Sequence, residues 1–265
     1  MNPHHKHVQA ICKMLRSCAY RHDLHALFSD CMEAAATAFS NSVDLANREA
    51  REKHYLDIVG RYERDVVDIF TQVLAEVVLA LEARPGDVLG LVFAELGLGS
   101  AARGQFFTPY PICQLMAGTL GAADQLTEII DRNGFVRALE PACGAGAMII
   151  ALAETMRAQD INYQQRLHVT AVDIDRRAVH MAYIQLTLMH IPAVVIVGNS
   201  LSMEMHEHWY TPAHIIGGWN AKLARCEAET AARALIDPMP GQESCAITEP
   251  RSQSEDRKPR QLRLF

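Results

Sequence analysis

Residues 135–148, FVRALEPACGAGAM, commit the chain to a strand, a glycine loop and a helix in immediate succession. The apolar run Val136 to Leu139 meets a carboxylate at Glu140 and then the turn residues Pro141, Ala142 and Cys143. Gly144 and Gly146 follow, ahead of an apolar segment from Ala147 to Met156. Glycine is needed where a backbone turns sharply or approaches a ligand with no side chain between them. A lone Gly-x-Gly is equally compatible with an ordinary βα turn, so its neighbours decide its meaning.

Downstream, after a polar loop at Gln159 to Arg166, Leu167 to Val172 reads as a second strand that ends in Asp173-Ile174-Asp175. A helix is predicted from Arg177 to His190, and a third apolar run, Ala193 to Val197, ends in Gly198-Asn199-Ser200. The order β-α-β-α-β, with polar residues at each strand's carboxyl end, predicts an open α/β sheet that binds its ligand at those ends. Ala213 to Ile216 is predicted as a short fourth strand, followed by helix-like residues to Leu235.

Upstream, residues 1 to about 47 read as two modest helices. From Glu49 to Arg84, Leu56, Val59, Val66, Phe70, Leu74, Val77 and Leu81 recur at three- and four-residue steps, which predicts an amphipathic helix interrupted near Gly60. Arg84-Pro85-Gly86 stops it, and Asp87 is placed to cap a helix from Val88 to Leu96. Gly104-Gln105-Phe106-Phe107-Thr108-Pro109 then leads into a helix from Ile112 to Leu120, with Thr108 as its expected cap and two exposed aromatics beside it.

With 265 residues, 49% of them hydrophobic, the chain can bury the core of one or two domains. Its apolar runs break well before the ~20 residues of a membrane span, and MNPHHKH is followed by no signal-peptide core, so a cytoplasmic protein without a membrane partner is expected. Seven cysteines without a CxxC pair point to reduced thiols. His4, His5 and His7, and likewise His22 and His25, lack acidic or cysteine partners at ligand spacing, so they are expected on solvated helix faces and no metal site is expected. The net charge of −6 means that a DNA-binding role requires a local basic patch or a partner subunit.

A dinucleotide-binding loop would place a third glycine at position 149, which is Ile, and an acid ~20 residues on. A Walker loop is excluded by the lack of Gly-Lys-Ser/Thr. A nucleoside ligand without a pyrophosphate remains. Asp173 can hold ribose hydroxyls, Ile174 can lie against an adenine face, and Glu140 can face an amino group. S-adenosylmethionine has all three parts.

GQFFTP, EPACGAG, AVDID and GNS, in this order and spacing and preceded by DVLGLVFAELGLG, resemble the modification subunit of type I restriction-modification systems, which are adenine-N6 DNA methyltransferases. The resemblance covers residues 50 to about 202. It implies a Rossmann-like S-adenosylmethionine-dependent core with an incomplete sheet, at residues 101–226, behind an N-terminal helical region at 1–100. It also implies that Phe107, Thr108 and Pro109 line the methionine end of the cofactor, and that Glu140, Ala142, Cys143, Gly144 and Gly146 form the main loop. Asp173 would bind the ribose. Asn199 stands where the family usually has Asp and would contact the adenine amino group, accepting without the help of a charge.

The same family holds its flipped base with an Asn/Asp-Pro-Pro-aromatic motif, and no Pro-Pro occurs in this chain. Trp219 and Asn220 are the weak substitutes; Asp237-Pro238-Met239-Pro240 is a poorer one. The sheet is also short, so a bare edge is expected to need the N-terminal helices, a partner, or a second copy of the chain as cover. Three readings stay open: an active methyltransferase, a catalytically inactive cofactor-binding accessory subunit, and a remnant with neither property. Residues 227–265 read as a polar, disordered tail. Its last residues, Gln261-Leu262-Arg263-Leu264-Phe265, look like the bacterial sliding-clamp-binding pentapeptide, with Gln261, Leu262, Leu264 and Phe265 as the anchors.

Overall fold

A computed structural model of the protein describes residues 3–99, 107–121 and 123–236. The first three residues of GQFFTP, the Asp237 to Pro240 segment and the terminal pentapeptide lie outside the described residues. Two compact units divide the chain, 1–224 and 225–265. In the second, the described residues continue a helix in which Arg225 pairs with Glu229 at 3.7 Å.

Five helices come first: α1 (His5–Cys18), α2 (Leu24–Asn41), α3 (Arg48–Val59), α4 (Arg64–Ala83) and α5 (Val88–Glu95). The long amphipathic stretch does break at Gly60, which caps α3, and α4 then buries Val66, Phe70, Val73, Val77 and Leu81 along one stripe. Asp23 caps α2 by accepting from the Ala26 amide, and Asp87 caps α5 by accepting from Gly90. His4 departs from expectation. It is 4% exposed and packs against Gly86, where a Cβ would fall 2.5 Å from its Nε2, because the chain start folds back onto the end of α4.

Next come α6 (Tyr110–Leu120), α7 (Ala123–Asn133), β1 (Val136–Glu140), α8 (Ala147–Ala158), α9 (Tyr163–Arg166), β2 (Leu167–Asp173), α10 (Arg176–Leu188) and β3 (Ala193–Asn199). The remaining elements are β4 (Glu204–Tyr210), α11 (Pro212–Ile216) and α12 (Trp219–Ile236). The sheet runs β1-β2-β3-β4, with the first three strands parallel and β4 antiparallel to β3. A register shift at Val197/Gly198 marks the entry of β4.

Two expectations fail here for identifiable reasons. Ala213 to Ile216 is the helix α11 rather than a strand, because the Thr211 hydroxyl caps it by accepting from His214 and Pro212 sits in its first turn. The fourth strand is EMHEHWY instead, a polar stretch in which only Trp209 is fully buried. Likewise Thr108 does not cap α6; Pro109 takes the cap position without a side-chain bond.

One helix joins the halves. Every residue of α10 from Ala178 to Thr187 is buried, packed against β2 and β3 and against α2 and α5. The N-terminal helices therefore cover α10. At the β4 edge, α3 adds cover of its own: Arg51 donates to the His208 carbonyl at 2.9 Å and stacks over Trp209 at 4.3 Å. At the opposite edge β1 has no strand partner beyond β2 among the described residues, and Leu139 is 69% exposed there. No helix among the described residues is long and apolar enough to cross a membrane.

Besides His4, three histidines are buried among the described residues. His168 Nε2 and His214 Nδ1 are 2.9 Å apart, and His214 Nε2 lies 3.0 Å from Asn220 Oδ1. Burial lowers the pKa of both rings and favours their neutral forms. With His214 neutral and its Nε2 donating to the Asn220 carbonyl, its Nδ1 accepts from His168 Nε2. His180, fully buried on α10, packs edge-on against Trp209 at 4.9 Å and finds no hydrogen-bond partner among the described residues.

Candidate functional site

The glycine loop is held from two directions. At its base the Cys143 amide donates to the Val172 carbonyl at 2.8 Å, tying the loop to β2. At its crest the Gly144 amide donates to Asp173 Oδ2 at 2.8 Å, while Asp173 Oδ1 accepts from Asp175 at 2.9 Å. The Gly144 carboxylate bond spans the gap between the ends of β1 and β2, so Asp173 shapes the loop as well as facing the site.

Both glycines are required by geometry. Gly144 has φ +53° and Gly146 has φ +92°, in the left-handed region that L side chains avoid. A Cβ on Gly144 would also fall 3.0 Å from the Phe107 ring. Phe107 is half-buried and packs on Phe93 at 5.1 Å, so this aromatic is a wall of the site and not a solvent-exposed group as its sequence position suggested.

Beside the loop lies a cavity of about 220 Å³ whose lining includes Asp87, Phe107, Thr108, Glu140, Cys143 and Gly144. Asp173, Ile174 and Asn199 stand along the strand ends outside it, and Pro109 is exposed at its approach. Ile174 is 73% exposed, an apolar side chain held in water at the rim. The site thus has an enclosed end at Glu140 and Phe107 and an open end at Asp173 and Ile174.

Burial pushes the carboxyls of Asp87, Glu140 and Asp173 above their usual range, with amide bonds from Gln185, Ala142 and Asp175 respectively working against it. Asp173 raises Glu140 a little further. Burial also lifts the Cys143 thiol well above its ordinary value, so this cysteine stays protonated and serves packing. Two of these carboxyls, Asp87 and Glu140, line the cavity, and Asp173 stands beside it at the end of β2.

Two sequence expectations change. Asn199 Oδ1 accepts from Leu201 at 3.0 Å and from Ser202 at 3.3 Å, which uses both of its lone pairs to hold the β3–β4 turn. The acceptor that a purine amino group would need is therefore engaged. Trp219 and Asn220 are not at the site. Trp219 is 1% exposed, packed on Phe135 at 5.0 Å and His168 at 5.2 Å, and Asn220 serves His214. Phe135 and His168 mark the amino ends of β1 and β2, so both candidates sit roughly 16 Å, one strand length, from the loop.

Asp87 and Gln185 are the site residues that the sequence did not reveal as such. Asp87 reads as a helix cap, which it is, and nothing in the sequence marks Gln185. Its amide donates to Asp87 at 3.0 Å and to the Ala145 carbonyl at 2.7 Å, and its carbonyl accepts from Leu89 at 3.0 Å. One buried side chain on α10 thereby fastens the start of α5 to the glycine loop.

Three parallel strands with a glycine loop after the first and an acid after the second define an open α/β arrangement of the kind in which ligands bind beyond the strands' carboxyl ends. Residues 86–256 match the family model for N-6 DNA methylases, and the chain belongs to that family. The chain is also similar, at 14% identity and a TM-score of 0.41, to a solved Listeria monocytogenes protein described as a class I S-adenosylmethionine-dependent methyltransferase. That match covers 74% of this chain and 54% of the other, so the chain spans about half of its length. No curated protein matches.

Proposed function

We propose that the protein is the S-adenosylmethionine-binding part of an adenine-N6 DNA methyltransferase. The observation that carries this reading is the loop held by Asp173 beside a cavity walled by Glu140 and Phe107. Gly144 and Gly146 leave a cradle that side chains would fill, and the acidic lining suits a cationic ligand. Asp173 would hold the ribose hydroxyls, Ile174 would cover the adenine, and Phe107, Thr108 and Pro109 would flank the methionine end. Ala142, Cys143, Gly144 and Gly146 would give the loop backbone that the cofactor lies on. When bound, the cofactor supplies an electrophilic methyl group; the residues around it bind, orient and shield it.

A second reading, an accessory subunit that binds cofactor without transferring methyl groups, is favoured by the placement of Trp219 and Asn220 far from the loop. Calorimetry with S-adenosylmethionine tests what the two readings share, and an absence of heat would remove both. Methyl transfer to unmethylated adenine-containing DNA separates them. Transfer by the purified chain supports the first reading, and binding without transfer supports the second.

The terminal residues carry a separate proposal, attachment to the sliding clamp through Gln261, Leu262, Leu264 and Phe265. Deleting Gln261 to Phe265 is expected to abolish binding to purified clamp. Equal binding by the intact and shortened chains would rule it out.

A further inference from the structure

We infer that Asp87 is the counter-charge for the cofactor's amino-acid ammonium group, a role beyond its capping of α5. The inference rests on the cofactor reading given above and adds to it a residue from outside the strand ends. Asp87 is 5% exposed and lines the same cavity as Glu140 and Gly144. Its two hydrogen bonds, from the Gly90 amide at 2.9 Å and from Gln185 Nε2 at 3.0 Å, both fall on Oδ1. Oδ2 accepts from none of the described residues, and no Lys, Arg or His among them forms an ion pair with the carboxylate.

A buried carboxylate with one oxygen unspent and no cation beside it is a costly arrangement. Two devices nonetheless hold it in place. Gly90 leaves the space it occupies, since a Cβ there would fall 2.1 Å from Oδ2. Gln185 fixes its orientation and, through Ala145, its position relative to the loop. A capping role alone would be met by Ser, Thr or Asn without a buried charge. The charge is explained if a cation enters the cavity, and burial, which holds the unpaired carboxyl above its usual range, then favours the ion pair. Of the ligand's two positive centres, the ammonium donates hydrogen bonds and the sulfonium does not, so an acceptor oxygen selects the ammonium. Gln185 is a positioning residue in this scheme.

The test uses the full chain and the variant Asp87→Asn, which keeps an oxygen for Gly90 and Gln185 and removes the charge. Three ligands are titrated by calorimetry: S-adenosylmethionine, S-adenosylhomocysteine, which keeps the ammonium but has no sulfonium, and 5′-methylthioadenosine, which has neither. The expected result is a loss of about 10- to 100-fold in affinity for the first two, with the third unchanged. Thermal melting of the unliganded variant, at or above that of the parent, confirms that the fold is intact. A loss for S-adenosylmethionine alone would assign the charge to the sulfonium and overturn the inference. So would an equal loss for all three ligands, equal binding of all three, or a lowered melting temperature with any pattern. No heat from the parent chain with any ligand would overturn the cofactor reading together with this one.

Discussion

Replacing Asp173 by Ala is expected to lower S-adenosylmethionine affinity by about 100-fold or more. Two effects add. On the cofactor reading the carboxylate accepts from the ribose hydroxyls, and each hydrogen bond to a charged group contributes about 1.5–3 kcal/mol. The same carboxylate holds the crest of the loop through the Gly144 amide and the turn after β2 through the Asp175 amide. Alanine leaves both donors without that partner, in a place where Asp173 itself is half-buried. The loop then loses the constraint that sets its left-handed glycines in register with the ligand. Asp173→Asn separates the two effects, because its carbonyl can still accept from one amide while its NH2 group confronts the other. An intermediate loss is expected. Calorimetry reads the affinities, and an unchanged value for Asp173→Ala would show that the ligand does not reach the end of β2.

Acid is expected to destabilise the fold through its buried histidines, by about 4 kcal/mol between pH 7 and pH 5, offset in part by the raised carboxyls of Asp87, Glu140 and Asp173. Burial pulls His168 down to about 3, with His214 and Arg137 adding to the effect. Burial likewise pulls His180 down to about 3, with Arg176 next in importance. Burial lowers His214 as well. In each case the folded value lies below the unfolded one, so the unfolded chain binds protons that the folded chain refuses. Stability from this source is complete above about pH 6.5 and is lost progressively as pH falls toward about 3. At pH 5 each of the two strongest groups contributes a loss of about 2 kcal/mol, against the 5–15 kcal/mol or so that holds a typical domain. Urea midpoints measured at pH 7 and pH 5 give the slope directly. His180→Leu should remove close to half of it, because His180 makes no hydrogen bond that the substitution would sacrifice. A midpoint independent of pH would mean that the rings are solvated or already charged.

The parallel part of the fold could be read from the sequence because its strands are short apolar runs closed by turn residues. Val136 to Leu139, Leu167 to Val172 and Ala193 to Val197 each fall inside the observed strand. The strand β4 escaped because it is polar. Its alternation hides a single buried indole, and much of its cover comes from Arg51, 158 residues before Trp209. The misplaced strand at Ala213 to Ile216 shows the converse error, in which an apolar run outweighed the Thr-Pro signal of a helix start.

At the candidate site, Glu140, Gly144 and Gly146 stand in one local motif and Asp173 closes the next strand, so their meeting at the carboxyl ends of the sheet was legible from the strand–loop–helix order. Asp87 and Gln185 could not, since only tertiary packing brings them to the loop, from 58 residues before Ala145 and from 40 residues after it. The engaged oxygen of Asn199 was invisible for a similar reason: residue type fixes what a side chain can accept, and only the fold shows what it has already accepted. Trp219 and Asn220 had suitable chemistry, and their position at the amino ends of the strands made it irrelevant to the loop.

The burial of α10 on all sides bears on how this protein comes apart. A helix that serves as the floor of the sheet and the ceiling of the N-terminal helices cannot lose either neighbour without presenting a continuous apolar stripe to water. Residues 1–224 are for this reason expected to melt in one transition, with no partly unfolded state in which the sheet survives by itself. Trimming the N-terminal helices to isolate the loop would leave a fragment prone to aggregate, since the segment that looks dispensable in the sequence is half of the core.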